Sequence, residues 1–239
     1  MSANNGVAAP SCDASPEEIY ASSRPPPRIC GTALGSRAHV CAFFRGPLDE
    51  DRAILPFFRE GLICGEKIVH TIDPRHRHDR LNRLLAAGID FAAAHDKGRF
   101  DLYDWIETHL PGGTFDADRS LSFFAQIAER ATRRGVPQTR FVTHMEWALE
   151  GGVSSSELLA YEAKANEIWL KNSGPVNPVI CAYDLARFSG EFIIDVMRTH
   201  PMTLIDGILH ENPFFLPPEE FIKELRARRA PPPIGKVPK

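Results

Sequence analysis

An α/β three-layer sandwich on a mainly parallel sheet is the fold this sequence predicts, and three observations lead there. Short apolar runs of strand length alternate with segments of helical period along the chain. Two of the runs, 39–44 and 179–184, are apolar at nearly every position, as strands covered by helices on both faces must be. The segments between them are long enough for right-handed crossovers. With 239 residues, 43% hydrophobic and 25% charged, the chain has the length and composition of a packed domain.

The elements follow in order. His39-Val40-Cys41-Ala42-Phe43-Phe44 is a short apolar run suited to a strand buried on both faces. Asp49-Glu50-Asp51 opens a helix, because acids in the first turn complement the macrodipole. Ile54, Leu55, Phe58 and Leu62 continue it at helical spacing to Gly65, with Pro56 implying a kink or a late start. Lys67 to Asp73 reads as a second strand and Arg80 to Ala87 as a short helix stopped by Gly88. Ile89 to Ala93 and Phe100 to Tyr103 read as two more short strands. Asp116 to Arg134 is amphipathic through Leu121, Phe124, Ala125 and Ala128, and Gly135-Val136-Pro137 ends it. Phe141 to Leu149 alternates as one long strand, with Phe141, Thr143, Met145, Trp147 and Leu149 on one face. The capping box Ser154-x-x-Glu157 starts a helix running to about Lys171. Val179 to Asp184, Glu191 to Thr199 and Thr203 to Leu209 complete the series as strand, helix and strand.

The chain ends differ from this body. Nine of the 20 prolines fall within residues 1–36 and 230–239, including Pro25-Pro26-Pro27 and Pro231-Pro232-Pro233. Polyproline favours an extended, solvated backbone, so both ends read as disordered tails, inert spacers rather than ligands for an SH3-like module. The folded unit then spans residues 37–229, and the lengths outside it leave no room for a second module. The formal charge of −3 lacks the basic surplus a nucleic-acid partner demands. No stretch approaches about 18 consecutive apolar residues, so no membrane span is expected. Met1 to Asp13 has neither the basic nor the apolar region of a signal peptide. Five cysteines at 12, 30, 41, 64 and 181 form no paired pattern, which places the chain in a reducing cytoplasm.

Open α/β sheets bind ligands beyond the carboxyl ends of their strands. That rule selects His70 and Asp73 after the second strand, His144 and Glu146 on the long one, and Cys181, Tyr183 and Asp184 on the strand near residue 180. Tyr161, Glu162 and Asn166, at helical spacing, would join from the adjoining helix. Each residue has a plainer reading as well: a small buried thiol, a satisfied core imidazole, a loop cap. Arg45-Gly46-Pro47-Leu48-Asp49-Glu50 after the first strand has one glycine, no lysine and a cluster of acids, the opposite of a phosphate cradle. His39-x-Cys41 points both side chains to one face, and His70, His144 and Cys181 are the candidates to approach it from neighbouring strands. Without CxxC or HExxH spacing, neither metal nor other cofactor is expected. No GxSxG elbow exists, and Cys64 lacks a nearby base, so no catalytic residue is assigned.

Taken in order, several segments resemble a known family. They are His39 to Phe44, Leu55-Pro56-Phe57-Phe58 with Gly61-Leu62 and Gly65-Glu66-Lys67, Gly113-Thr114-Phe115-Asp116, Met145 to Leu149, Tyr161-Glu162 with Asn166, Cys181-Ala182-Tyr183-Asp184, His200-Pro201 and Asn212-Pro213-Phe214-Phe215. No one of them is specific, but their order over about residues 37–222 is similar to the MEDS domain (methanogen/methylotroph, DcmR sensory domain). The resemblance implies a RecA-like α/β core without the phosphate-binding loop. It implies sensing of a small organic molecule, without catalysis, and output through a histidine kinase, a transcription regulator or an anti-sigma-type protein. With no room for such a module here, output is expected to pass through a separate protein or a homo-oligomer. The expected ligand-binding set is His39, Cys41, His70, Glu146, Tyr161, Glu162, Asn166, Cys181, Tyr183 and Asp184, with the Gly112-Gly113 loop and the residues around Ser173-Gly174 as moving parts. A degenerate nucleotide-binding relative, with Glu146 or Asp184 as the surviving metal-side carboxylate, and a purely protein-binding regulator are the competing readings.

Overall fold

The computed structural model describes residues 25–36, 38–169 and 177–228. A seven-stranded sheet forms its centre. In chain order its strands are β3 (His39–Phe44), β4 (Lys67–Ile72), β5 (Phe100–Asp104), β6 (Thr139–His144), β7 (Val179–Asp184), β8 (Met202–Ile205) and β9 (Ile208–Glu211). A small hairpin of β1 (Arg28–Ile29) and β2 (Thr32–Ala33) precedes them. The spatial order is β5-β4-β6-β7-β3-β8-β9, and every pairing is parallel except β8 with β9. The mainly parallel α/β architecture is therefore as the sequence predicts.

Helices cover both faces. Ala42, Phe44, Ile68, Val142, Ile180 and Leu204 face one core, against α1 (Pro47–Ile63), α2 (Arg77–Ala86) and α3 (Phe91–Asp96). Cys41, Phe43, Val69, Phe141, Cys181 and Tyr183 face the other, against α5 (Ala117–Arg133), α7 (Ser155–Trp169), α8 (Gly190–Thr199) and α9 (Pro218–Ala227). Two single-turn helices, α4 (Trp105–Thr108) and α6 (Trp147–Glu150), sit at strand ends. The period-2 side-chain rule thus sends alternate residues of β3 and β7 into two separate cores. No helix among the described residues is long and apolar enough to cross a membrane.

Four expectations are corrected. Ile89 to Ala93 is not a strand: Asp90 accepts a hydrogen bond from the Ala93 N–H and caps α3, so capping chemistry wins over a short apolar run. The long strand from Phe141 stops at His144, where a turn leads into α6; Trp147 is buried from a helical turn, which the alternating pattern cannot distinguish from a strand face. Thr203 to Leu209 is two antiparallel strands, not one. Asp206 and Gly207 both take positive φ (50° and 75°), the backbone of a two-residue hairpin turn. Residues 28–34, assigned to the N-terminal tail, form the β1–β2 hairpin, where Ile29 and Leu34 are buried and the Arg28 N–H donates to Glu60. Pro56 lies within a continuous α1 that has Pro47 in its first turn. Ser173-Gly174 lies outside the described residues.

Candidate functional site

At the carboxyl ends of the strands the chain opens a cleft of about 130 Å³. Phe44 and Gly46 from the end of β3, Glu146 after β6, Asp184 ending β7 and Trp105 opening α4 all line it. Gly46, with φ 103°, turns the chain directly into α1, whose first residue is proline. Glu146 accepts a hydrogen bond from the Asp184 N–H at 2.9 Å, and Asp184 accepts one from the Ala186 N–H. Burial pushes the Glu146 carboxyl upward, against the opposing pull of nearby His144. Glu50, Asp73 and Asp79 also reach the rim, with Arg83 and Arg187 among them. Arg83 pairs with Asp51 and Asp79, and Arg187 with Glu150, so both guanidinium groups are already engaged.

Beneath the rim lies the first histidine cluster, on the α1 side of the sheet. His144 Nε2 is 2.9 Å from Glu50 Oε1. Arg80, buried at 1% exposure, donates to both Glu50 and Asp51. Burial alone would raise the Glu50 carboxyl, but His144 and Arg80 reverse that and hold it well below the usual range. His70 stands beside this cluster, donating from Nδ1 to the Val142 carbonyl at 3.0 Å and stacking edge-on to His144. Burial drives its pKa far down, so it is a neutral imidazole.

A second cluster occupies the opposite face, under α7 and α8. Cys41 and Cys181 stand at the same register of β3 and β7, with His39 two residues before Cys41. Glu162 and Asn166, one turn apart on α7, come down onto them, and His200 arrives from the end of α8. Tyr183 donates its hydroxyl to Glu162 Oε1 at 2.7 Å. Glu162 Oε2 lies 3.4 Å from His39 Nε2, 3.4 Å from His200 Nε2 and 3.5 Å from Cys181 Sγ. His39, Glu162 and His200 are all 0% exposed. Burial would raise the Glu162 carboxyl, yet His200 and His39 hold it well below the usual range; burial lowers His39 and raises both thiols well above theirs. A cavity of about 20 Å³ abuts the cluster, walled by Phe124, Phe141, Met145, Tyr161 and Trp169.

The ten residues singled out from the sequence therefore do not gather in one place. Glu146 and Asp184 line the cleft, and Tyr183 borders it while turning its hydroxyl to Glu162. His39, Cys181, Glu162 and Asn166 join Tyr183 in the buried cluster. Cys41 adjoins it, its thiol directed at the Met202 carbonyl. Tyr161 lines the small cavity and points to His109, which is stacked on Trp147 and pushed down to about 3 by burial. His70 belongs to the other face. Cys41 and Cys181 do not form the floor of the cleft. Sequence reasoning did not assign His200, although His200-Pro201 was one of the recognised segments, nor Arg80, whose partners depend on how α2 crosses α1.

The sequence profile described as "MEDS: MEthanogen/methylotroph, DcmR Sensory domain" matches residues 38–201. The transcriptional repressor DcmR of Methylorubrum extorquens is 26% identical over 179 residues, which is 74% of this chain and 63% of the repressor, so the chain spans less than two thirds of that relative. A KaiC-like protein from the archaeon Pyrococcus horikoshii superposes with a TM-score of 0.49 at 16% identity, over 73% of each chain. With the family profile matched across most of its length, this chain belongs to the MEDS sensory-domain family.

Proposed function

We propose that this domain is a non-catalytic sensor that takes a small organic molecule into the strand-end cleft and passes the change to a separate signalling protein. The observation that carries the reading is the cleft itself: it lies where the parallel strands end, it is small, and five carboxylates line it beside two histidines and two arginines that are already ion-paired. A volume of about 130 Å³ is well below the roughly 300–1,000 Å³ of pockets that hold drug-sized ligands, so a nucleotide exceeds it. Five carboxylates on or near the rim repel phosphate, and Pro47 removes a backbone donor where a phosphate cradle needs one. Phe44 and Trp105 offer apolar walls, while Glu146 and Asp184 offer acceptors. That combination selects a compact molecule with an apolar part and a hydroxyl or amine donor. Membership of a sensory-domain family and likeness to a transcriptional repressor support a regulatory output. The ligand shifts that output only by binding two states of the domain unequally.

Thermal unfolding of the full chain with a panel of short alcohols, diols and amines, and separately with Mg–ATP, tests this. At least one small donor should raise the melting temperature, and Glu146→Gln or Asp184→Asn should abolish that rise. Stabilisation by Mg–ATP alone, or a small-molecule response that survives both substitutions, overturns the reading.

A further inference from the structure

We propose that His39, Glu162, Cys181 and His200 form a binding site for one tetrahedral divalent metal ion of the zinc type. The first argument is geometric. Four ligand atoms on a zinc ion, at about 2.0–2.3 Å from the metal, stand about 3.3–3.6 Å from one another. Here His39 Nε2 to Glu162 Oε2 is 3.4 Å, His200 Nε2 to Glu162 Oε2 is 3.4 Å, His39 Nε2 to Cys181 Sγ is 3.4 Å and Cys181 Sγ to Glu162 Oε2 is 3.5 Å. All four ligand atoms lie within 4.8 Å of one another. Those four separations match four of the six edges of a tetrahedron around such an ion.

The second argument comes from where the protons must be. Asn166 donates from Nδ2 to the Glu162 and Thr199 carbonyls, so its Oδ1 faces His39 Nδ1 at 3.0 Å and accepts that proton. His200 Nδ1 lies 2.9 Å from the Val196 carbonyl, which can only accept. With each Nδ1 engaged in this way, both imidazoles turn Nε2 toward the same carboxylate oxygen. His200 Nε2 is buried without a hydrogen-bond donor or acceptor partner. The buried Glu162 charge needs a cation beside it, and the two Nε2 atoms are placed to share a metal ion with Oε2. Histidines held by an Nδ1–H bond to a carbonyl oxygen, with Nε2 free to ligate, are the usual outer support of a metal site. Tyr183 plays the matching part for Glu162, occupying Oε1 and leaving Oε2 for the ion.

The other buried carboxylates make the contrast plain. Glu50 has Arg80, Glu66 has Arg140 and Asp73 has Arg75. Among the described residues, the recorded ion pairs of Glu162 are to His39 and His200 alone. The Glu50, His70 and His144 set has similar spacing, but Arg80 lies against Glu50 and 3.2 Å from His144 Nε2, so a guanidinium already holds the cation position. As the ion enters the second cluster, the Cys181 thiol gives its proton to solvent and binds as thiolate. The sequence concealed this site because its ligands come from β3, α7, β7 and the end of α8, with no local spacing motif.

Metal content is measured without any organic ligand, so the outcome is independent of the cleft reading. Full-length protein from zinc-supplemented culture, desalted and analysed for elements, should carry about one zinc per chain. His39→Ala and His200→Ala should each lower that at least about tenfold, whereas His70→Ala should keep it. Should the alanine variants not fold, metal-free wild type titrated with Co²⁺ should develop a thiolate-to-cobalt charge-transfer band that Cys181→Ser abolishes. Wild-type protein with neither bound zinc nor a cobalt spectrum, or metal retained by folded His39→Ala and His200→Ala chains, overturns the proposal.

Discussion

The two histidine–carboxylate clusters stand on opposite faces of one sheet, yet they solve the same electrostatic problem differently. On the α1 side, Glu50 is buried with His144, and Arg80 completes the pair. On the α7 side, Glu162 is buried with His39 and His200, and a thiol and a phenol stand where an arginine would be. Arginine carries a charge that cannot be removed and five donors in a fixed fork, so it closes a site permanently. Histidine and cysteine hold protons that can leave, so they keep a site available to a metal ion. The first cluster is a structural strut beneath the cleft, and the second is a socket.

Substitutions sharpen this difference. Removing the strut has the largest effect: Arg80→Ala leaves Glu50 buried with only histidine for a partner, and should cost about 3–5 kcal/mol in chemical denaturation. A loss below about 1 kcal/mol would show that His144 alone satisfies Glu50. In the socket, Tyr183→Phe removes one donor to a charged oxygen, and should cost about 1.5–3 kcal/mol with the secondary structure unchanged. Bound metal should persist in that variant, because Tyr183 supports a ligand without being one.

Acid offers a gentler probe. His144 and Arg80 hold the Glu50 carboxyl well below its ordinary value despite burial, with His70 also facing it. Its stabilisation is complete above the unfolded pKa of about 4.3 and fades as pH falls past that toward the lower folded value. Urea midpoints should therefore drop more between pH 6 and pH 3.5 for wild type than for Glu50→Gln. Equal drops would place the acid-sensitive group elsewhere. The smallest stability effect belongs to the cleft: Glu146→Gln keeps an acceptor for the Asp184 N–H and should change stability by less than about 1 kcal/mol, measured by the same unfolding. Loss of ligand response without loss of stability then separates a binding residue from a structural one.

Much of this arrangement is legible in the sequence, and what is not has identifiable causes. The apolar runs at β3 and β7 mark strands of the sheet, and period 2 puts His39 and Cys41 on one face, whereas Cys181 joins them only through the β3–β7 register. Helical spacing brings Glu162 and Asn166 to one side of α7. The antiparallel hairpin was signalled by Asp206-Gly207 between apolar residues, a turn signal stronger than the run that hid it. At Ile89 the short apolar run suggests a strand, whereas the Asp90 cap makes the segment a helix. The division of ten candidate residues between two sites follows from strand ends and strand middles lying several residues apart, on faces that alternate. His200 and Arg80 escape such reasoning because packing between helices, and no local period, sets their partners.

Anomalous diffraction at the zinc absorption edge, on crystals of the full chain grown with zinc, tests the contrast between the clusters most directly. The account predicts a single peak enclosed by His39 Nε2, His200 Nε2, Glu162 Oε2 and Cys181 Sγ, with none among Glu50, His70 and His144. A peak at the Arg80 cluster, or an empty second cluster in protein that has been offered zinc, would contradict it.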